Sequence, residues 1–209
     1  MSPSVVGTAV LRLDPDELAY LHRIARRPRP CAAVGVPTVR PGLRYLLESF
    51  VLTPALLLGR HTQIMGWNQL AAEVFGDFPA LPEKHRTISH LLFAEPYRRL
   101  HRAGWERAAG DHVAHLRVLL GRYRGDAGLA VHIDQLRKLS PDFARMWAKH
   151  PVAQVRNRVY ELQHPVVGDL TLHGELIALP DEPACWGLDL FAAEPGSPSE
   201  QALRKLAAL

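Results

Sequence analysis

The chain has 209 residues, 47% of them apolar and 22% charged. That is long enough to bury a core and too rich in apolar residues for a disordered segment. Its two cysteines, Cys31 and Cys185, give no disulfide framework, no apolar run approaches a membrane span, and no export leader is evident, so a cytoplasmic protein without membrane contact is expected. The net charge of +4 lies in residues 1–60, which hold eight Arg or Lys against four acids, while residues 61–209 hold 17 of each. A basic arm on a neutral body suits either an anionic partner such as nucleic acid or a solvated linker.

In chain order, the first signal is a helix over residues 14–25. Asp14 is a suitable N-cap, Pro15 takes the first helical position, and Leu18, Leu21, Ile24 and Ala25 repeat at helical spacing. Pro28, Pro30, Pro37 and Pro41 then predict an extended linker over 28–41. Residues 42–51 read as a helix with Leu43, Leu46, Leu47 and Phe50 on one face. Residues 55–59 and 63–67 read as a hairpin around Arg60, His61 and Thr62. Asn68 caps a short helix that Gly76 ends in a left-handed conformation.

Residues 79–150 are predicted to be mostly helical. Trp105, Ala109, Val113, Leu116, Leu120 and Tyr123 keep to one face of a long helix, Leu129, Ile133 and Leu136 mark a second, and Ser140-Pro141-Asp142 opens a third. Residues 152–162, 170–179 and 184–192 read as three strands, and Ser197 starts a last helix. The predicted fold is α+β: five short strands in one antiparallel sheet, PAS-like, with the central helices covering one face and a small ligand held between the layers.

Several stretches carry a resemblance: RPGLRYLLES from Arg40, TPALLLGRHTQIMGWNQLAAEVFGDF from Thr53, PDFARMWAKHPV from Pro141, HPVVGDLTLHGELIALPDEP from His164 and AEPGSPSEQALRKLA from Ala193. Together they resemble the MmyB-like transcription regulator ligand-binding domain, the C-terminal part of XRE-type helix-turn-helix regulators, from about Arg40 to the end. The resemblance implies a PAS-like effector-binding domain for a lipophilic ligand of fatty-acid type, controlling DNA binding. It also implies that residues 11–26 correspond to the last helix of the helix-turn-helix domain. A helix-turn-helix needs two packed helices joined by a turn of about three to four residues, and the ten residues before Leu11 leave no room for them. The expected division is therefore 1–27 as a remnant of that domain, 28–41 as linker and 42–209 as ligand-binding domain. DNA is a partner only through a domain that is incomplete here, and a homodimer is expected, since such regulators match two half-sites.

The candidate ligand-binding residues are Trp67, Phe75, Phe93, Trp105, Leu116, Leu120, Phe143 and Trp147, with Arg117 and its neighbour His115 placed to meet a carboxylate head group. Taken singly, each apolar member suits plain core packing better; it is the resemblance that implies a shared cavity for the set. His112 and His115 form a His-x-x-His without the glutamate of a zinc helix, so no metal or other cofactor is expected. His164 is expected to fix the turn after it. No nucleophile elbow or phosphate loop is present, and catalysis is not expected. A protein–protein or dimerisation module without a small ligand is the alternative reading; a hydrolase or metal enzyme built on the histidines ranks behind both.

Overall fold

The computed structural model describes residues 39–95, 97–101, 104–123, 125–149, 158–179 and 185–209. The predicted helix at 14–25, the linker up to residue 38, and the predicted strand residues 152–157 and 184 lie outside them.

Among the described residues, seven α-helices and one five-stranded sheet follow one another in the order the sequence predicts. Helix α1 (Pro41–Ser49) has its proline at the helix start, where no N–H is needed, and buries Leu43 and Leu47. Leu46, expected on the same face, is 42% exposed. Strands β1 (Ala55–Gly59) and β2 (Ile64–Trp67) form the predicted hairpin. Helix α2 (Gln69–Phe75) is capped by the Asn68 side chain, which accepts from the Ala71 N–H. Gly76 ends it at φ 118° and ψ 172°, an extended glycine conformation instead of the left-handed helical one expected.

Helix α3 (Ile88–Phe93) is capped by Thr87, α4 (Trp105–Arg122) is the long amphipathic helix, and α5 (Ala127–Leu139) and α6 (Pro141–Ala148) are capped by Asp126 and Ser140. Strands β3 (Arg158–His164), β4 (Gly168–Ala178) and β5 (Cys185–Ala192) form a meander, and α7 (Pro198–Leu206) closes the chain with Ser197 as its cap. The sheet order is β2-β1-β5-β4-β3, with every neighbour antiparallel. The early hairpin thus joins the late meander through β1 and β5, while residues 69–148 stack their helices against the sheet.

Strand β1 is buried along its whole length. Leu56 and Leu58 pack with α2, Phe78, Leu172, Phe191 and α7, whereas Ala55 and Leu57 pack with Leu43, Leu47 and Leu188 on the α1 side. The two-residue period of a strand sends alternate side chains to opposite faces. A third core lies among the helices: Leu92, Phe93, Trp105, Leu116, Leu129, Ile133 and Phe143. Phe78 and Phe143 have no exposed surface, and burying each contributes about 1.5–3 kcal/mol.

Candidate functional site

On the helix-facing side of the sheet, register sets an unusual row. Arg158 on β3 lies opposite Gly174 on β4, and Gly174 lies opposite Phe191 on β5. Asp189, two residues before Phe191, lies between Leu56 and Leu176. A side chain at 174 would block the line between Arg158 and Asp189. A Cβ there would sit 2.6 Å from Tyr160 Cε2 and 3.6 Å from Arg158 Cβ. Glycine leaves that lane open, as glycines inside strands often do where groups approach closely.

Arg158 uses the lane. Its Nη2 donates to Asp189 Oδ1 at 2.6 Å and its Nη1 to Asp189 Oδ2 at 3.2 Å, while Nη1 also reaches Tyr160 Oη at 3.4 Å. Asp189 is 2% exposed. Burial raises the pKa of this carboxyl, and the facing guanidinium opposes that rise. For Arg158, burial works to lower the pKa, but Asp189 and Tyr160 reverse it and hold the guanidinium above its ordinary value. A two-point contact this short is the geometry of an ionised pair. Burial also raises the Tyr160 phenol, which stays protonated.

Helix α4 supplies the facing wall. Its register brings Ala108, Asp111, His112 and His115 over the strands. Burial pushes the Asp111 carboxyl up, against the pull of Arg107 and Arg158. Burial drives His115 down to about 4, with Arg158 and Arg122 adding to it, and holds His112 well below 6.5. Both imidazoles are neutral at pH 7. His112 Nε2 meets the buried Ser89 hydroxyl at 2.8 Å, and His132 Nε2 meets the same oxygen at 3.0 Å. His132 is also lowered to about 4, by burial and then by His61. A hydroxyl has one hydrogen to give, so with both rings neutral one ring accepts from Ser89 and the other donates to it.

Between these walls lies a cavity of about 190 Å³. Leu58, Ile88, Leu92, Ala108 and Leu176 make its apolar part; Asp111, His112, His115, Arg158, Tyr160 and Asp189 make its polar part. Thr62, Val159, Gly174 and the exposed Glu175 complete it. The chemistry on offer is hydrogen bonding beside an apolar surface. Among the described residues, no group of three His, Cys, Asp or Glu side chains is arranged to hold a metal ion, and no helix is long and apolar enough to cross a membrane.

The nine residues that the sequence singled out lie elsewhere. Trp67 packs on Phe78 with ring centres 5.1 Å apart, and Phe75 meets Phe191 edge-on at 4.7 Å. Phe93 meets Trp105 and Phe143 edge-on, and Phe143 stacks on Trp147. Trp105 Nε1 donates to the Leu92 carbonyl at 2.7 Å. Leu116 is fully buried and Leu120 partly so in the same helical core. Arg117 lies over the Trp147 ring at 4.0 Å and donates to the Trp147 carbonyl at 2.6 Å. The set is thus split between two cores, and the cavity wall is made by other residues; of the residues proposed for a head group, His115 alone lines it. His164 does fix its turn: Nδ1 accepts from the Val166 and Val167 N–H groups, and Nε2 donates to the Glu73 carbonyl at 2.8 Å.

Arg158, Asp189 and Gly174 escaped the sequence reading, although each left a signal. Arg158 falls in phase with Tyr160 and Leu162, Asp189 in phase with Phe191, and Gly174 interrupts the run Leu170, Leu172, Leu176. A charge or a glycine at an inward strand position is the anomaly that marks such a site. A search of curated proteins found no match. A family model, the MmyB-like transcription regulator ligand binding domain, matches residues 39–206, most of the chain and all of the sheet and cavity, and the chain therefore belongs to that family of regulator ligand-binding domains.

Proposed function

We propose that this domain is the effector sensor of a cytoplasmic helix-turn-helix regulator and that the cavity under α4 is its effector site. The observation that carries the reading is the cavity itself, where an ion pair, a phenol and two neutral imidazoles are buried beside apolar side chains. Such groups are costly to bury, and a concave site in which polar groups converge beside apolar side chains is a usual setting for a small molecule. An effector controls an attached DNA-binding segment only by the difference in its affinity for two arrangements of the protein. Family membership supports the regulatory role. The lipophilic character expected of the effector is supported by Leu58, Ile88, Leu92 and Leu176.

The test is native purification, solvent extraction and mass spectrometry of the extract, alongside an Ala108→Leu variant that fills the hollow. A small molecule recovered from the wild-type protein and lost from the variant is the expected result. Equal recovery from both would place any bound molecule outside the cavity and refute the reading.

A second property, self-association, is favoured by the apolar surface around α1, where Tyr45 is 69%, Leu46 42% and Val51 71% exposed. Light scattering tests it, and a monomer at high micromolar concentration would remove it.

A further inference from the structure

Arg158 is only partly used by the contacts described above. A guanidinium carries five N–H groups in a rigid plane, and two of its edges each present a parallel pair. Asp189 takes one pair, from Nη1 and Nη2, and the remaining Nη1 hydrogen lies toward Tyr160 Oη. The second pair, Nε–H with the other Nη2 hydrogen, has no hydrogen-bond partner among the described residues. Nε is also not one of the sealed side-chain atoms that lack a partner, so it can be reached.

That open edge is held where a ligand would meet it. Asp189 and Tyr160 fix the guanidinium in the cavity wall, and the bare Gly174 leaves room beside its stem. Helix α4 lies across from it, since Arg158 acts on Asp111, His112 and His115 there. Two parallel N–H groups match a planar group with two acceptor oxygens, and such contacts are strongest when the acceptor is charged. Asp189 already balances the guanidinium, so the edge supplies directed hydrogen bonds without asking a guest to break that pair. The like charge that an acid meets on the facing helix is Asp111, on which Arg107 and Arg158 both act; Glu175 is exposed to water. At about 30 Å³ per water, the cavity volume of about 190 Å³ corresponds to roughly six waters, room for a short organic acid.

We propose that Arg158 is the residue that selects the effector: its Nε–Nη2 edge receives a carboxylate head, while the chain of the ligand lies on Leu58, Ile88, Leu92 and Leu176. This rests on reading the cavity as the effector site. It moves the head group from Arg117, which is committed to the Trp147 ring and carbonyl, to a strand residue, and it makes Asp111 the group that limits affinity.

The experiment is calorimetric titration of the full chain at pH 7.5 with sodium hexanoate, hexanamide and 1-hexanol. Hexanoate is expected to bind about tenfold more tightly than either neutral probe, and Ala108→Leu, which fills the hollow, is expected to abolish its binding. Arg158→Lys keeps the charge and loses the fork, and is expected to lower the preference for hexanoate over hexanol about tenfold. Asp111→Asn removes the like charge and is expected to raise that preference about threefold, a gain that a damaged fold would not give. Hexanol or hexanamide binding as tightly as hexanoate overturns the acid head. A preference unmoved by Arg158→Lys overturns the assignment to Arg158 while leaving the effector site standing, and hexanoate binding that survives Ala108→Leu overturns its place in the cavity. Binding of no probe defeats the effector site and this proposal with it. If Arg158→Lys does not fold, the preference of Asp111→Asn decides.

Discussion

Removing Asp189 tests the site where its energetics are largest. Asp189→Ala leaves the Arg158 guanidinium, whose side chain is 19% exposed, without its paired carboxylate; the Tyr160 hydroxyl and the half-buried Asp111 carboxyl remain near it. Stranding one member of a buried pair costs about 3–5 kcal/mol, whereas replacing both by apolar groups of similar volume is roughly neutral or stabilising. Asp189→Ala is therefore expected to cost about 4 kcal/mol, and Arg158→Met with Asp189→Leu less than about 1 kcal/mol. In a chain of this size each kcal/mol moves Tm by about 2–4 °C, so the single variant should melt on the order of 10 °C lower. Urea unfolding followed by tryptophan fluorescence gives both values. A loss below about 1 kcal/mol in the single variant, the value of an exposed pair, or a double variant that loses the sum of the singles, would refute a buried, mutually dependent pair.

Three other outcomes follow from the same geometry. Gly174→Ala pushes a methyl to 2.6 Å from Tyr160 Cε2 and should cost about 1–3 kcal/mol by overpacking, with a shift in the Tyr160 ring signals by NMR; unchanged stability and spectra would contradict it. Asn68→Ala removes four hydrogen bonds, from the Ala55 and Ala71 N–H groups and to the Phe50 and Thr53 carbonyls, and should cost about 2–4 kcal/mol by urea titration; a loss under about 1 kcal/mol would contradict it. The buried histidines set a pH dependence. His101, His115 and His132 have folded pKa values of about 4 against 6.5 unfolded. Between those values the unfolded chain binds more protons, so stability falls as pH drops from about 6.5 toward 4, by up to about 1.4 kcal/mol per pH unit for each histidine. A melting temperature that stays level from pH 7 to 5 would show the rings to be protonated in the fold.

The elements were legible because their signals are local. Asn68, Ser140 and Ser197 each accept the N–H of the third helical residue beyond them, as their positions predict, and glycine and proline mark ends that need no long-range information. The hairpin at 55–67 was readable for the same reason. The wall of the cavity was not, because aromatic and apolar periodicity reports burial and burial does not distinguish a packed core from the lining of a hollow. Trp105 and Leu116 belong to the longest helical pattern and are buried in the core among the helices. Asp189 and Arg158 are 31 positions apart, and their meeting depends on the register of three strands and on the bare Cα of Gly174.

Strand β1 has one further consequence. Helix α1, together with Val39 before it, lies against Ala55 and Leu57 on the reverse of the sheet, while the adjacent Leu58 borders the cavity. Val39 and Pro41–Ser49 therefore lie on the face opposite the cavity, and the shortest mechanical link between the two is a single thickness of backbone crossed between two consecutive leucines. A methyl added or removed at Leu57 and one at Leu58 would press on that partition from opposite sides.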